Sequence, residues 1–590
     1  MSIFFHSTLK NSKRVFKHVK FKEKIQYNSK YFISSSIPSK ELIANDSIIN
    51  KKFVPFQKNI NSRRTEAKRS ILVQVQSAQS YKELYSYCSS FGNVTQMFHY
   101  TTGIEPMHFI LVEFKNESDV VSTLSSSTFV EGNSTTPVNS QFLWFRSTSK
   151  KITKSKHKNA ALVIEDGITP MTNDRIRETL QKCNNVTEQI LTLYNNTKMT
   201  DLECRLRFLT ARQMELSVYG MFPHARVLPF GSSVNGFGKM GCDLDVVLTL
   251  KDNKEDSSSR LVFHCKDSGV DRSSNLRNLE VFGDLLQLFL PGCARVRKIL
   301  QARVPIIKYY HQFTDVECDL SMCNVSGVHM SDFLYIMGSI DSRVRPLVFA
   351  IRKWAQEVGL TNSSPGRWIT NFSLTLLVLA FLQGPLHSPP ILPSLNTLVK
   401  SAESKDSFIT DEGVNCSFLR DIEKLHFSSV NIENLEVLLC EFFEYYSQFD
   451  FKSKSVCLNE GVPLTKLDHS ALYIINPLER GLNVSKNVSL EELEKFKFAA
   501  RNAAWILQSE ESTNTSNWGL LSIFDKPNKK MAFSVSRNKN ERLMQVKQLF
   551  EEEDNTDTGH SEVDNRRTQL EKNGNTNRIG KTNKMKNPNR

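Results

Sequence analysis

Between residues 230 and 250 the chain reads FGSSVNGFGKMGCDLDVVLTL, and two aspartates one residue apart inside an apolar strand restrict what can surround them. Residues two apart on a strand face the same side, so Asp243 and Asp245 share one face while Leu244 and Val246 point into a core. Carboxylates held side by side repel each other unless a cation bridges them, and a hard divalent ion with oxygen ligands is the natural guest. Upstream, Gly231, Ser232 and Ser233 let backbone amides and hydroxyls approach a phosphate chain closely. An isolated Asp-x-Asp is more often a solvated strand end, and a Gly-Ser-Ser an ordinary turn. Their combination at this spacing gives the segment its weight.

At 590 residues the chain is too long for one compact domain. Its hydrophobic content of 39% and mean hydropathy of −0.34 describe a soluble protein, and no apolar run reaches the roughly 20 residues that span a bilayer. The longest, FSLTLLVLAFL at 372–382, fits a buried helix. Eleven cysteines without a Cys-x-x-Cys pair signal neither a zinc module nor a disulfide framework, which suits a reducing compartment. The net charge of +14 is unevenly placed: residues 1–69 carry about +12 and 526–590 about +6, leaving the middle slightly acidic. Attraction for a polyanion must therefore come from a local patch or from the ends.

The first 22 residues hold six lysines or arginines, no acid, and interleaved Phe4, Phe5, Leu9, Phe16 and Val19. Residues 1–45 are accordingly read as a mitochondrial transit peptide, with a basic RNA-binding arm as the alternative. From 70 to 147 the pattern is β-α-β-β-α-β, which resembles an RNA-recognition-motif (RRM) fold. Its stretch MHFILVEF places Phe109, Val112 and Phe114 as that motif requires, but has Leu111 where an aromatic would stack on a base. Subunit contact is the expected role of this module, ahead of sequence-specific RNA binding. A polar linker (146–159) follows, then a helical lead-in (160–225), a strand-rich domain (226–345) with a polar insertion at 251–278, and a helical domain (346–520). The last segment, 526–590, reads as a disordered basic tail.

The hydrophobic-Gly-Ser, ten-residue gap and Asp-hydrophobic-Asp pattern resembles the signature of polymerase-β-type nucleotidyltransferases. That resemblance implies a third carboxylate on a later strand, and VECDLSM at 316–322 offers Asp319, with Glu317 as its rival on the same face. Downstream, RVRPLVFAIRKWAQEVGL, WITNFSLT and NPLERGLNVSKNVS resemble the helical domain of non-templated poly(A) and poly(U) polymerases, most of all their mitochondrial poly(A) branch. The implied fold class is α+β: a polymerase-β-like palm, a helical PAP-associated central domain and an N-terminal RRM-like module.

The implied activity is template-independent addition of AMP from ATP to mitochondrial RNA 3′ ends, in the matrix, with two Mg²⁺ (or Mn²⁺) ions held by Asp243, Asp245 and Asp319. The resemblance also implies a nucleotide site drawing on Gly231, Ser232, Ser233, Gly241, Cys242, Asn324, Arg352, Asn371, Phe372, Leu482 and Asn483. In it Phe372 stacks on the base, Asn324 meets the ribose and Arg352 the triphosphate. Gln356 stands where many relatives carry a phosphate-binding lysine, with Lys353 as a possible substitute. Uridylyltransferases of this kind carry histidine where this chain has Leu482, so ATP is expected over UTP. Homodimerisation through the RRM-like module is implied too. The competing readings are a terminal uridylyltransferase and a catalytically inactive RNA-binding scaffold. His311 is read as structural.

Overall fold

The computed structural model describes residues 53–524 apart from 132–133, 138–139, 147–161, 165–167, 169, 251–271, 323, 363, 365, 385–388 and 510–516. The expected transit peptide and tail, nearly all of the linker and most of the insertion lie outside the described residues.

A helix, α1 (Phe56–Lys68), leads into β1 (Ser70–Val75), α2 (Tyr81–Cys88), β2 (Val94–Thr102), β3 (Met107–Phe114) and α3 (Glu117–Ser125). A hairpin of β4 (Thr128–Glu131) and β5 (Ser134–Pro137) precedes β6 (Phe142–Trp144) and β7 (Leu162–Ile164). The sheet order is β6-β1-β3-β2-β7, the arrangement expected of an RRM-like module with one added edge strand. Alternation divides its side chains. Ile71, Val73, Ile110 and Val112 pack under Leu84, Cys88, Val120 and Leu124 of α2 and α3.

The opposite face is where an RRM would receive RNA, and here the chain covers it. Leu72, Phe98, Tyr100, Phe109 and Leu111 pack against Leu202, Leu206 and Leu209 of a later helix and against Phe313. The Tyr100 hydroxyl donates to the Phe313 carbonyl at 2.7 Å. Neither base stacking nor subunit contact can use this sheet face while the module is docked, because each buried Leu or Phe contributes about 1.5–3 kcal/mol by staying out of water. The docking is reinforced at Glu113, a buried carboxylate held by Arg69 (2.6 Å) and Arg205 (2.7 Å).

Helices α4 (Asn173–Leu180), α5 (Val186–Thr197) and α6 (Asp201–Val218) follow. Thr200 and Glu203 form a reciprocal capping box that fixes the start of α6. The lead-in divides: α4 and α5 give Ile176, Leu180, Ile190 and Leu193 to the helical core, whereas α6 gives Met214 and Val218 to the palm. The palm comprises β8 (Arg226–Phe230), β9 (Leu244–Thr249), α7 (Arg272–Leu288), β10 (Cys293–Ile299), β11 (Ile306–His311) and β12 (Val316–Ser321). Its sheet runs β10-β11-β12-β9-β8, with only β9 and β12 parallel. One face buries Val246, Leu248, Ile307, Tyr309, Cys318 and Leu320 against α6 and α7, so alternation turns Asp245, Asp319 and Lys308 to the other, which is open beside them and closes again at Val247 and Ser321.

The helical domain contains α8 (Val325–Ile340), α9 (Val344–Glu357), α10 (Asn371–Gln383), α11 (Leu395–Lys400), α12 (Leu435–Gln448) and α13 (Leu490–Gln508). α10, apolar on all sides, is buried along nearly its whole length, as its sequence requires. Together the three parts make the α+β architecture. Among the described residues, no helix is long and apolar enough to cross a membrane, and the nine cysteines are free.

Candidate active site

Strand register builds the site. Asp245 on β9 pairs with Asp319 on β12, and Asp319 pairs with Lys308 on β11. Three side chains therefore stand in a row across the open face, with Asp243 on the lead-in to β9. The Lys308 ammonium lies 3.1 Å from Asp319, 3.4 Å from Asp243 and 3.4 Å from Glu317. Among the described residues no three metal-binding side chains are gathered around one point; the lysine ammonium stands between the carboxylates instead.

The electrostatics follow. Burial, with the charges of Asp319 and Asp243 added, pushes the Asp245 carboxyl up to about 7. Burial also raises Asp319, against the pull of Lys308. Burial works against the charge of Lys308, but Asp319 and Asp243 outweigh it and hold the ammonium above the ordinary lysine range. A face with this much unbalanced negative charge is suited to a divalent cation.

The turn after β8 roofs this row. Gly231 has φ +68°, and a Cβ there would lie 2.4 Å from Asp245 Oδ2, so only glycine fits. Its N–H donates to Ser331 Oγ at 2.7 Å, and the Ser233 hydroxyl donates to the Asp243 carbonyl at 3.1 Å. Both groups are thereby spent on shaping the turn, and Ser232 is the residue of the three left to face a ligand. Gly231→Ala is expected to lower kcat about 100-fold, since a misplacement of about 1 Å is enough for such a loss, and to lower the melting temperature by only a few degrees, the cost of about 1–3 kcal/mol of backbone strain; primer-extension rates and thermal melts check this.

Behind the second turn sits a buried pair that the sequence did not announce. Glu203 accepts from the N–H of Gly241 at 2.9 Å and from that of Thr200 at 3.0 Å. Arg207, 1% exposed, donates to the Cys242 carbonyl and to the Glu203 carbonyl. Gly241 and Cys242 are thus held from behind by α6, which sets where Asp243 begins.

The remaining candidates fall into two groups. Asn324 stands at the N-terminal boundary of α8, three residues after β12, without a side-chain capping bond. Half-buried Phe372 and exposed Asn371 start α10. Leu482, also half-buried, lies on the loop 472–489, which Ser485 ties to Ser373 of α10 (2.9 Å) and Glu479 ties to Ser326 of α8 (3.2 Å). These two bonds bring the loop to the start of α10 and the start of α8. Arg352 does not present its guanidinium to a ligand: it donates to the Phe237 carbonyl (2.7 Å), the Asn371 carbonyl (3.2 Å) and the Thr375 hydroxyl. Asn483 is likewise spent, accepting from Ile474 and Ser485 and donating to Ser470 and Leu472. Both side chains are engaged within the protein, tying together the segments that carry them.

Lys353 is held by Glu357 at 2.6 Å and Asn173 at 2.7 Å, and Gln356 is exposed. A cation missed in the sequence is Lys239. Loss of water around its ammonium and the charges of Lys353 and Arg352 hold it below the ordinary lysine range, with Cys242 and, more weakly, Asp243 pulling the other way. His311 is structural: fully buried, bonded to Thr314 and Gln213, and pushed down to about 3 by burial. A cavity of about 300 Å³ behind the Gly-Ser turn, lined by Arg63, Lys198, Asp201, Ser232 and Arg345 among others, includes none of Asp243, Asp245 and Asp319.

Residues 186–339 match a family model described as the central palm domain of mitochondrial-like poly(A) RNA polymerase. Residues 434–490 match one described as Cid1 family poly A polymerase, and 55–129 the RL domain. The mitochondrial poly(A) RNA polymerase of Drosophila melanogaster is 45% identical over 519 residues, covering 85% of this chain and 84% of its own length. That of Homo sapiens is 37% identical, covering 86% and 87%. The crystal structure of mtPAP with ATPγS aligns with a TM-score of 0.73 at 35% identity over 80% of this chain and all of that one; mtPAP has also been solved with UTP, GTP and CTP.

Proposed function

The chain belongs to the mitochondrial poly(A) RNA polymerase family and is a polynucleotide adenylyltransferase; from that premise we propose how its residues divide the work. The observation that carries the reading is the row Lys308–Asp319–Asp245 beneath the Gly231 turn. In the reaction the 3′-hydroxyl of an RNA attacks the α-phosphorus of ATP, and pyrophosphate leaves in line.

Asp243 and Asp245 face the triphosphate side, under the turn where Ser232 is available. Asp319, one strand further across, faces the attacking hydroxyl. These three carboxylates fit Mg²⁺ or Mn²⁺, since they are hard oxygen donors carrying more negative charge than Lys308 alone offsets. Divalent ions bound there would supply Lewis acidity for the hydroxyl and charge neutralisation for the triphosphate. Lys239, exposed and four residues before Asp243, is the cation we place on the phosphate side, in place of the inward-turned Arg352. The protein acts in mitochondria, and the matrix, where its RNA substrates would be found, is the compartment we propose. Self-association through the RRM-like module would have to use surfaces other than its docked sheet face.

Base choice falls to the 472–489 loop. Leu482 offers a purine an apolar neighbour with no polar edge, so ATP is favoured over UTP. The solved mtPAP holds UTP, GTP and CTP as well as ATPγS, so selection in this chain is expected in turnover rather than at entry. The test is an RNA-primer extension assay with each nucleotide in turn. Long products with ATP support the reading, and preference for UTP would overturn it. Leu482→His is expected to shift the ATP/UTP ratio of kcat/KM at least about 10-fold toward UTP, as a polar group meeting a base edge does.

A further inference from the structure

The catalytic row does not stop at Lys308. Lys308 pairs in turn with Arg297 on β10, so the open face carries Asp245, Asp319, Lys308 and Arg297 across four adjacent strands. Between Ala294 and Arg297 the pairing shifts register, so that two β10 residues, Arg295 and Val296, stand against Tyr309 alone. At this bulge Arg295 takes φ +54°, a conformation uncommon for any residue but glycine. Its guanidinium lies 4.4 Å from the centre of the Tyr310 ring. Tyr310 is two residues from Lys308 and shares its face, whereas Tyr309 is buried in the core. Lys298 points the opposite way, against Gly283 and Asp284 of α7. The strained bulge thus turns one arginine onto an aromatic ring, with a second, exposed arginine beside it, continuous with the carboxylates.

Resting on the adenylyl-transfer reading, the geometry points to this strip, Arg295, Arg297, Tyr310 and Lys308, as the binding site for the last nucleotides of the RNA strand being extended. The direction follows from the row. ATP occupies the Gly231 side, and the attacking hydroxyl must reach the α-phosphorus opposite the leaving pyrophosphate, hence from beyond Asp319. Only β11 and β10 lie beyond it. An aromatic ring offers a stacking surface that accepts any base, and arginines pair with backbone phosphates, which suits a strand read without sequence preference. Two carboxylates lie along this path: Glu317, on the same face and paired with Lys308, and Asp315, which accepts from the Tyr310 hydroxyl. At the far end, Arg303 of the β10–β11 hairpin pairs with Glu479 at 3.7 Å, bringing this hairpin to the loop that carries Leu482.

The test compares the full chain with Arg295→Ala/Arg297→Ala and with Tyr310→Ala. Extension assays give KM for an oligoadenylate primer and for ATP separately, and fluorescence anisotropy of the labelled primer reads affinity without turnover. The double variant is expected to raise primer KM and Kd about 10-fold and to flatten the salt dependence of binding by about 1.4 log units per log unit of salt, two phosphate contacts' worth on a single strand. KM for ATP should stay within about 2-fold. Unchanged primer affinity, or a rise confined to ATP, would overturn the assignment. As a measurement independent of variant folding, a primer with 4-thiouridine next to its 3′ end should crosslink within residues 293–311; crosslinks only in the RRM-like module or the helical domain would also overturn it. If the wild type failed to extend RNA with ATP, the reaction reading would fall, while anisotropy and crosslinking would still decide the strand's path.

Discussion

Asparagine in place of Asp245 is expected to stop adenylate addition, lowering kcat about 1000-fold or more, and at the same time to make the metal-free protein harder to unfold at pH 8. The two effects share a cause. Asp245 lies beneath the Gly231 turn with Asp319 on the neighbouring strand, and its carboxyl is pushed up to about 7. A carboxyl raised in the folded state favours folding only while protonated there. Its contribution is fully present below about pH 4, where both states are protonated, and is lost as pH rises through 7. At pH 8 the ionised group therefore costs stability, and an uncharged isostere removes the cost, by about 2 kcal/mol once relaxation and the neighbouring lysine are allowed for. The gain should shrink at pH 5. Adding Mg²⁺ should stabilise the wild type by mass action and the variant much less. Melting temperatures at both pH values, with and without Mg²⁺, and extension rates check this. Equal stability at pH 5 and 8 would show that Asp245 is not held in a repulsive cluster.

That cluster was only partly legible in the sequence. Two aspartates on one strand face follow from the period of two, and the third carboxylate from the Cys-Asp-Leu resemblance. Lys308 is invisible at that level. It belongs to the row because β11 pairs with β12 in one particular register, and nothing within IIKYYH announces this. The RRM-like module shows the same limit. Its missing stacking aromatic was readable at Leu111, but its covering partner was α6, about 90 residues further along the chain. Arg352 and Asn483 show the limit from another side. Their motif positions imply ligand contact, and the structure adds what the sequence does not say, that their donors and acceptors also bond backbone carbonyls, amides and hydroxyls of neighbouring segments. A motif records that a residue type is needed at a place; whether it touches the substrate or holds what does depends on which way the side chain turns.

Arg207→Ala is the second large expectation, an expected loss of about 3–5 kcal/mol and roughly 10 °C in the melting of the palm, with kcat falling alongside. Arg207 and Glu203 are both about 2% exposed on α6, with their charged groups 3.8 Å apart. Removing the arginine leaves Glu203 as a buried charge without its counter-ion and empties a large volume in a packed interior. It also releases the Cys242 carbonyl, so the two-residue approach to Asp243 loses its strap from behind. A lysine cannot replace it, because a single ammonium cannot reach both carbonyls with a planar fork. The double variant Glu203→Gln/Arg207→Met separates the two roles. Removing both charges while nearly keeping the volume should recover part of the stability, since no charge is left buried without a counter-ion, although a glutamine amide can accept only one of the two N–H groups that Glu203 takes. It should not recover kcat, because the Cys242 carbonyl still has no donor. KM for ATP should change less than kcat, as expected of a residue that sets where Asp243 stands without touching the nucleotide. Recovery of both stability and turnover in the double variant would mean that the pair matters only for folding and that the aspartate approach holds itself.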